Sequence, residues 1–359
     1  MAQAKRILVT GSLGYIGSRL VPYLVEHGYA VTAVDTGFFR DCLLYPEASR
    51  GDFTYLDVRD LDREALNNVD ALIHLAGISN DPFGDLMPEQ VYDSSTRYSV
   101  ELARWCKELG VRYVFASSCS IYGSATEPVV TESSVPNPQT FYSHNKLDIE
   151  NEVGAMADGC FQPVFLRFST LFGPSPRMRF DIVVNMLTAM AFANRAIILN
   201  SDGMANRPFV HIEDVCQSFR CALEAPLQGD QPVIVNIGSD SENYRIIDIA
   251  RMICEMAGNC ELRSLADVSS DKDRELFKDR KLQDGVDSRD YRVSFDHLKT
   301  VFPDFTPRWT LRAGIEELFA LFDRLSLTEA MYKSPQYYRL QTMDALYTGG
   351  RIDDNLRWR

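Results

Sequence analysis

The strongest constraint on this chain's fold is a seven-residue run near its start, Gly11-Ser12-Leu13-Gly14-Tyr15-Ile16-Gly17. It lies between an apolar, β-branched run, Arg6–Thr10, and an amphipathic stretch, Ile16–His27, so it joins a strand to a helix. A turn this rich in glycine brings backbone amides close to a pyrophosphate at a helix N-terminus, where the helix dipole favours an anion. The spacing alone would say little; the strand–turn–helix setting gives it weight. Gly11, Gly14, Tyr15, Ile16 and Gly17 are therefore candidate dinucleotide contacts. Asp35 ends the next apolar run, Ala30–Asp35, 18 residues after Gly17. A carboxylate there hydrogen-bonds an adenosine ribose and repels a 2′-phosphate, which favours NAD over NADP. Arg40, close by, reads as a solvated loop charge.

The rhythm of the first half extends this unit. Phe53–Leu56, Ala71–Leu75, Tyr113–Ser117 and Val164–Phe168 read as further strands, with helices over Ser95–Leu109 and Tyr142–Met156. Alternation of that kind is the pattern of βαβ units on a doubly wound parallel sheet, an α/β fold of Rossmann type. After Phe172 the loop Gly173-Pro174-Ser175-Pro176-Arg177-Met178-Arg179 breaks the rhythm, and Val233–Ile237 reads as a strand returning to the first sheet. The expected division is a dinucleotide-binding domain over 1–172 plus about 208–240. A smaller interleaved α/β substrate domain takes 173–207 and about 241–325, and 326–359 is a C-terminal tail that wraps the surface. The charged stretch Leu265–Arg292 is expected to be a loop covering the substrate.

Net charge and cysteine usage narrow the partners. A charge of −13 argues against nucleic acid or an anionic membrane surface, though a local arginine pocket can still hold a small anion. No apolar run approaches the ~18 residues of a membrane span, and no signal-peptide pattern precedes the first strand. Eight cysteines and five histidines are dispersed without metal-ligand spacing, which implies free thiols, a reducing cytoplasm and no metal site.

Within the stretch Phe141-Tyr142-Ser143-His144-Asn145-Lys146, a phenol and an ammonium stand at i and i+4, on one face of a helix. A fixed cation favours the phenolate, which turns a tyrosine into a candidate general base. Taken singly the pair is weak, since Tyr and Lys four apart occur on many solvated helices.

The order of motifs resembles the extended branch of the short-chain dehydrogenase/reductase superfamily, in its nucleotide-sugar epimerase/dehydratase group. Asp57-Val58 is similar to the adenine contact of that branch, and His74-Leu75-Ala76-Gly77 to its strand-4 motif, making Leu75, Ala76 and Gly77 cofactor candidates. Ser117-Ser118-Cys119-Ser120-Ile121-Tyr122-Gly123 resembles the strand-5 signature, with Ser118 in the catalytic Ser/Thr position and Tyr142 and Lys146 as the Y-x-x-x-K pair. Asn206-Arg207-Pro208-Phe209-Val210-His211-Ile212-Glu213-Asp214-Val215 resembles the R-x-[FY]-[IV]-H-V-x-D element. The likeness runs over about residues 5–320. It implies NAD, a nucleotide-diphosphate-sugar substrate and a homodimer paired through the helices Ser95–Leu109 and Tyr142–Met156. It also implies substrate contacts at Ser118, Cys119, Ser120, Asn185, Arg207 and Arg289, with Arg177 and Arg179 near the substrate mouth.

Two departures limit the chemistry. The Asp-Glu pair that follows the catalytic Ser/Thr in dehydratases of this group is here Cys119-Ser120, so the elimination has no acid/base pair. Asp93-Ser94-Ser95 stands where an asparagine beside the nicotinamide is common. The resemblance thus implies an NAD-dependent epimerase, acting at C4 of an NDP-hexose through a 4-keto sugar. A dehydratase, a decarboxylase or a reductase of the same family is the alternative, and a non-catalytic NAD sensor a more distant one.

Overall fold

The apolar runs of the first half assemble into one parallel sheet whose central strands are buried on both faces. The computed structural model describes residues 4–46, 51–78, 89–264 and 289–359. In chain order the elements begin with β1 (Arg6–Thr10), α1 (Gly17–Glu26), β2 (Ala30–Asp35), β3 (Asp52–Tyr55), β4 (Ala71–His74), α2 (Ser94–Leu109), β5 (Arg112–Ser118), α3 (Phe141–Gly154) and β6 (Val164–Phe168). They continue with β7 (Thr170–Phe172), α4 (Val183–Asn194), β8 (Ala196–Leu199), β9 (Asn206–His211), α5 (Ile212–Glu224), β10 (Val233–Ile237), β11 (Asn243–Arg245), α6 (Ile246–Ala257) and β12 (Glu261–Ser264). The last are α7 (Asp296–Val301), α8 (Leu311–Arg324), α9 (Glu329–Tyr332) and α10 (Arg339–Thr348).

The main sheet has seven strands in the order β10-β6-β5-β4-β1-β2-β3, all parallel. Every residue of β4 and β6 is buried, as expected of strands covered by helices on both sides. This is the doubly wound α/β fold. β1 pairs with β2 on one side and β4 on the other, so successive connections leave in opposite directions. That reversal opens a crevice at the strands' carboxyl ends. β10 returns to pair with β6. β9, which carries Arg207, instead joins a small sheet, β11-β9-β7, while β8 pairs with β12.

The helices keep clear starts. Thr140 caps α3 through its hydroxyl, which accepts from the Ser143 amide at 3.2 Å; the Ser143 hydroxyl accepts in turn from the Thr140 amide at 3.0 Å. That reciprocal cap fixes the first turn, which carries Tyr142. Leu102 and Val153 are fully buried in the core under α2 and α3, and Trp105 and Met156 pack against it. Core packing therefore accounts for the apolar faces of those helices. Of the charged stretch Leu265–Arg292, residues 265–288 lie outside the described residues.

Beneath the carboxyl end of β5 lies a buried polar network. Arg167 on β6 and Glu150 on α3 are 4% and 3% exposed and pair at 2.7 Å. The Ser117 hydroxyl donates to the same carboxylate, and Arg167 donates at 2.9 Å to the Tyr122 hydroxyl. Tyr122 donates onward to Asn236 Oδ1 on β10 at 2.8 Å. Three strands and one helix are thus tied together by groups that have no water to fall back on. Replacing Glu150 with Ala would leave the Arg167 guanidinium buried without its partner, and the expected destabilisation is about 3–5 kcal/mol in urea unfolding. A loss under about 1 kcal/mol would mean the pair does not hold these elements together.

Candidate active site

The glycine turn can form only with glycine in two of its places. Gly11 has φ +74, and a Cβ there would lie 2.7 Å from the Ala76 amide nitrogen in the loop after β4. A Cβ on Gly17 would lie 2.5 Å from the Ser12 carbonyl oxygen. The turn is thus folded tightly on itself and pressed against the loop after β4, the close approach a dinucleotide fingerprint requires. The Gly11 amide donates to the Val34 carbonyl at 2.9 Å. Asp35 follows, its carboxylate accepting from the Leu13 amide at 3.0 Å and the Gly37 amide at 2.8 Å. Burial raises the Asp35 carboxyl above its ordinary range, opposed by those amides and by Arg339 and Arg177.

A groove of about 2560 Å³ runs from this turn across the sheet ends. It is several times the size of a usual small-ligand pocket, room enough for a dinucleotide and a second nucleotide together. Gly11, Gly14, Tyr15, Ile16, Gly17, Asp35, Asp57 and Val58 line it, as do Leu75, Ala76 and Gly77. Ser118, Ser120, Tyr142 and Lys146 line it too, as do Arg207 and Arg289. The groove thus gathers these sequence candidates along one surface.

His74 explains why the loop after β4 stays in place. Its Nδ1 lies 2.7 Å from Thr10 Oγ1 and its Nε2 3.0 Å from Ser99 Oγ. The Ser99 hydroxyl already donates to the Ser95 carbonyl, so it accepts from Nε2–H, and Nδ1 accepts from Thr10. Burial, then the nearby Lys146, push this imidazole down to about 3, so it stays neutral.

Lys146 is the buried cation of the site. It is 8% exposed, donates to the Ala116 carbonyl at 2.8 Å and stands over the rings of Phe115 at 4.3 Å and Tyr142 at 5.6 Å. Burial pushes it down to about 7, against the pull of Glu150 one turn further along α3. Ser118 Oγ accepts from the Ser120 amide at 3.1 Å, which leaves its own hydrogen to be donated elsewhere.

Two proposed substrate contacts turn away from the groove. Cys119 is fully buried and its thiol faces the Arg167 carbonyl at 3.2 Å, because a 3₁₀ turn, Cys119–Tyr122, begins there and rotates it inward. Burial pushes that thiol upward, so it is a poor proton carrier. Asn185 is fully buried behind the groove wall. Its Oδ1 accepts from the Gly173 amide at 3.0 Å, and its Nδ2 donates to the Tyr15 hydroxyl at 3.2 Å and the Arg179 carbonyl at 3.1 Å. Both ends of the amide are spent on holding Tyr15 and the 173–179 loop. Arg207 donates to the carbonyls of Asn206, at 2.7 Å, and Arg289, and its guanidinium lies 5.3 Å from the Tyr291 ring centroid. The two candidate phosphate clamps are thereby brought together.

Sequence reasoning missed the contribution of the tail. Arg339, Leu340 and Leu356 line the groove, as do Arg59 beside Asp57 and Thr170 and Leu171. Arg59 holds Asp57 through Nε at 2.9 and 3.1 Å. Burial works to raise the Asp57 carboxyl, yet that guanidinium and the Arg59 amide leave it below its usual range. Arg40 faces outward, its guanidinium 5.9 Å from the Tyr55 ring centroid and 5.5 Å from that of Trp358. All eight cysteines are free thiols. Among the described residues no His/Cys/Asp/Glu cluster could hold a metal, and no helix is long and apolar enough to cross a membrane.

A parallel sheet with this groove at its switch point defines a dinucleotide-binding enzyme fold, and comparison with known proteins agrees. Residues 7–238 match the NAD dependent epimerase/dehydratase family, and the chain belongs to that family. Its cofactor is NAD. It is 26% identical over 279 residues to a UDP-glucose 4-epimerase of Bacillus subtilis, covering 70% of this chain and 82% of that one. It is also 26% identical over 281 residues to UDP-glucuronic acid decarboxylase 1 of Xenopus tropicalis, covering 75% of this chain and 65% of that one. Among solved structures, MoeE5 in complex with UDP-glucuronic acid and NAD superposes with a TM-score of 0.70 at 26% identity, over 89% of this chain and 99% of that one. The NAD-dependent NDP-hexosamine 5,6-dehydratase TunA gives a TM-score of 0.75 at 24% identity, over 89% and 98%, a likeness of fold.

The buried ammonium yields a prediction about pH. The folded-state value of Lys146 lies below its unfolded value, so burying the charge destabilises the cofactor-stripped protein fully below pH about 7. The penalty fades as pH rises from there toward the ordinary lysine value of about 10.4. A Lys146→Met variant should gain most over the wild type at pH about 6.5, with the gap closing by pH about 9.5, in denaturant titrations. A gap independent of pH would contradict the burial of that charge.

Proposed function

We propose that this protein is a nucleotide-sugar epimerase acting at C4 of an NDP-hexose. The observation that supports it most is Tyr142, Lys146 and Ser118 lining one groove together with the glycine turn. Bound NAD, held by the turn, Asp35 and the loop after β4, supplies the hydride acceptor and donor. Tyr142 takes the proton of the sugar's 4-hydroxyl, and the Lys146 ammonium beneath its ring favours the ionised phenol. Ser118, with its hydroxyl hydrogen still to give, holds the reacting oxygen as it becomes a carbonyl. The 4-keto sugar turns over in the wide groove, and Tyr142 returns the proton to the oxygen of the opposite configuration.

Arg207 and Arg289 supply cations for the sugar nucleotide's diphosphate, where a planar fork of donors suits phosphate oxygens. Ser120 lines the same groove as Ser118, and its amide is spent on Ser118 Oγ. UDP-sugars are the first substrates to test, because the named relatives act on them. The Cys119-Ser120 pair has neither carboxylate for a 4,6-elimination, which weighs against a dehydratase. A decarboxylase shares the first oxidation, and relatives named as decarboxylases are as similar as the epimerases. We also propose a homodimer through α2 and α3.

Tyr142→Phe should lower kcat by at least about 100-fold, the usual contribution of a positioned acid/base, while NAD stays bound. Unchanged turnover would remove the mechanism. Incubation with a panel of UDP-, GDP-, dTDP- and CDP-sugars, followed by NMR, should give a stereoisomer of equal mass. Loss of CO2 or water would assign the decarboxylase or dehydratase reading instead.

A further inference from the structure

The C-terminal segment, not absorbed by the reading above, forms part of the cofactor groove. Arg339, Leu340 and Leu356 line it together with the glycine turn. Arg339 is 8% exposed, and its Nη2 lies 3.6 Å from where a Cβ on Gly14 would stand. A guanidinium therefore faces the turn whose amides meet a dinucleotide's diphosphate. Behind it stands Arg177, 1% exposed, with Nε and Nη2 lacking any hydrogen-bond partner among the described residues. Both guanidiniums lie over the Phe39 ring, Arg177 at 4.4 Å and Arg339 at 5.2 Å. Arg179 adds a third cation, though it is paired with Asp181 at 2.8 Å. Burial, and then the neighbouring arginines, push Arg339 down to about 9, against the pull of Asp181.

The segment is also fastened at its far end. Arg59, held by Asp57, donates to the carbonyls of Asn355 at 2.6 Å and Leu356 at 2.9 Å. Trp358 donates its indole N–H to the Thr36 carbonyl at 2.6 Å, beside the end of β2, and its ring meets Phe38 at 5.4 Å. Arg357 pairs with Asp60 at 2.7 Å. Between the two ends Met343, Leu346, Ile352 and Leu356 form a small core with Val91 and Tyr92, and Tyr142 packs against it. The latch therefore spans the adenosine side of the groove, while Arg339 sits at its phosphate turn.

We propose that residues 335–358 are a cofactor clasp, in which Arg339 binds the diphosphate of NAD beside Gly14 and the Arg59–Trp358 latch slows its escape. The proposal rests on the reading of the groove as the NAD site. It makes NAD a retained group that serves many turnovers, which suits a redox-neutral reaction. The three arginines also bring positive charge to the glycine turn of a chain whose net charge is −13.

The test uses the full-length protein, stripped of nucleotide and reloaded with NADH, whose fluorescence reports both binding and release. Arg339→Gln should weaken NADH and ADP by about ten- to a hundredfold, the worth of a charge-assisted hydrogen bond, and leave adenosine unchanged. Arg339→Lys should recover part of the loss. Trp358→Ala, at a site 36% exposed, should speed NADH release by about tenfold with its ADP affinity little altered. The Trp358 variant keeps the test open if the Arg339 variant fails to fold. Wild-type release rates in Trp358→Ala together with wild-type ADP affinity in Arg339→Gln would overturn the clasp. Equal weakening of ADP and adenosine would assign Arg339 a purely structural role and overturn its part. Failure of the wild-type protein to bind NADH would instead strike the NAD site itself.

Discussion

The close approach of the glycine turn to its two neighbours sets the rest of the molecule. Gly11 leaves no room for a Cβ against the loop after β4, and Gly17 none against the Ser12 carbonyl. Only with that contact can α1 start directly over the end of β1 and point its N-terminus along the sheet's switch point. The loop after β4, fixed by the neutral His74, then becomes the opposite bank of the groove. The remaining site residues take their places relative to these two banks: Asp35 by its amide contacts to the turn, and Tyr142 by the capped first turn of α3.

Placing a cation under the tyrosine requires a buried lysine, and the structure supports it from below. The Ala116 carbonyl accepts one of its hydrogens, and Glu150 supplies opposite charge from within the Arg167 network. A lone ammonium at such burial would be expensive. The carboxylate is shared between Arg167, Ser117 and, through space, Lys146, so the network that ties β5, β6 and α3 together also tunes the site. Stability and chemistry here rest on the same few side chains.

Much of this was legible in the sequence, for physical reasons that differ by element. The strands β1, β2, β6 and β10 fell on their β-branched and apolar runs to the residue, because a parallel strand buried between helices is mostly apolar even where it carries one paired polar group such as Arg167 or Asn236. Tyr142 and Lys146 were legible because i,i+4 spacing fixes a shared helix face. Cys119 and Asn185 turn out buried away from the groove, since the Arg167 carbonyl that the thiol faces and the Tyr15 hydroxyl that the amide holds lie 48 and 170 residues away. Arg339 and Arg59 left no local signal: each acts across some 300 residues, Arg59 on Leu356 at a separation of 297. A tail of mixed polar and aromatic residues reads as a surface wrap until its partners are known.

The central claim is that one tyrosine and one retained NAD oxidise and re-reduce the same carbon without exchange. The most direct measurement is turnover of a substrate sugar nucleotide carrying deuterium at C4, with the product examined by NMR. The account predicts that the epimer keeps its deuterium at C4 and takes up none from solvent. Washing out of the label, or a product lacking CO2 or water, would contradict it.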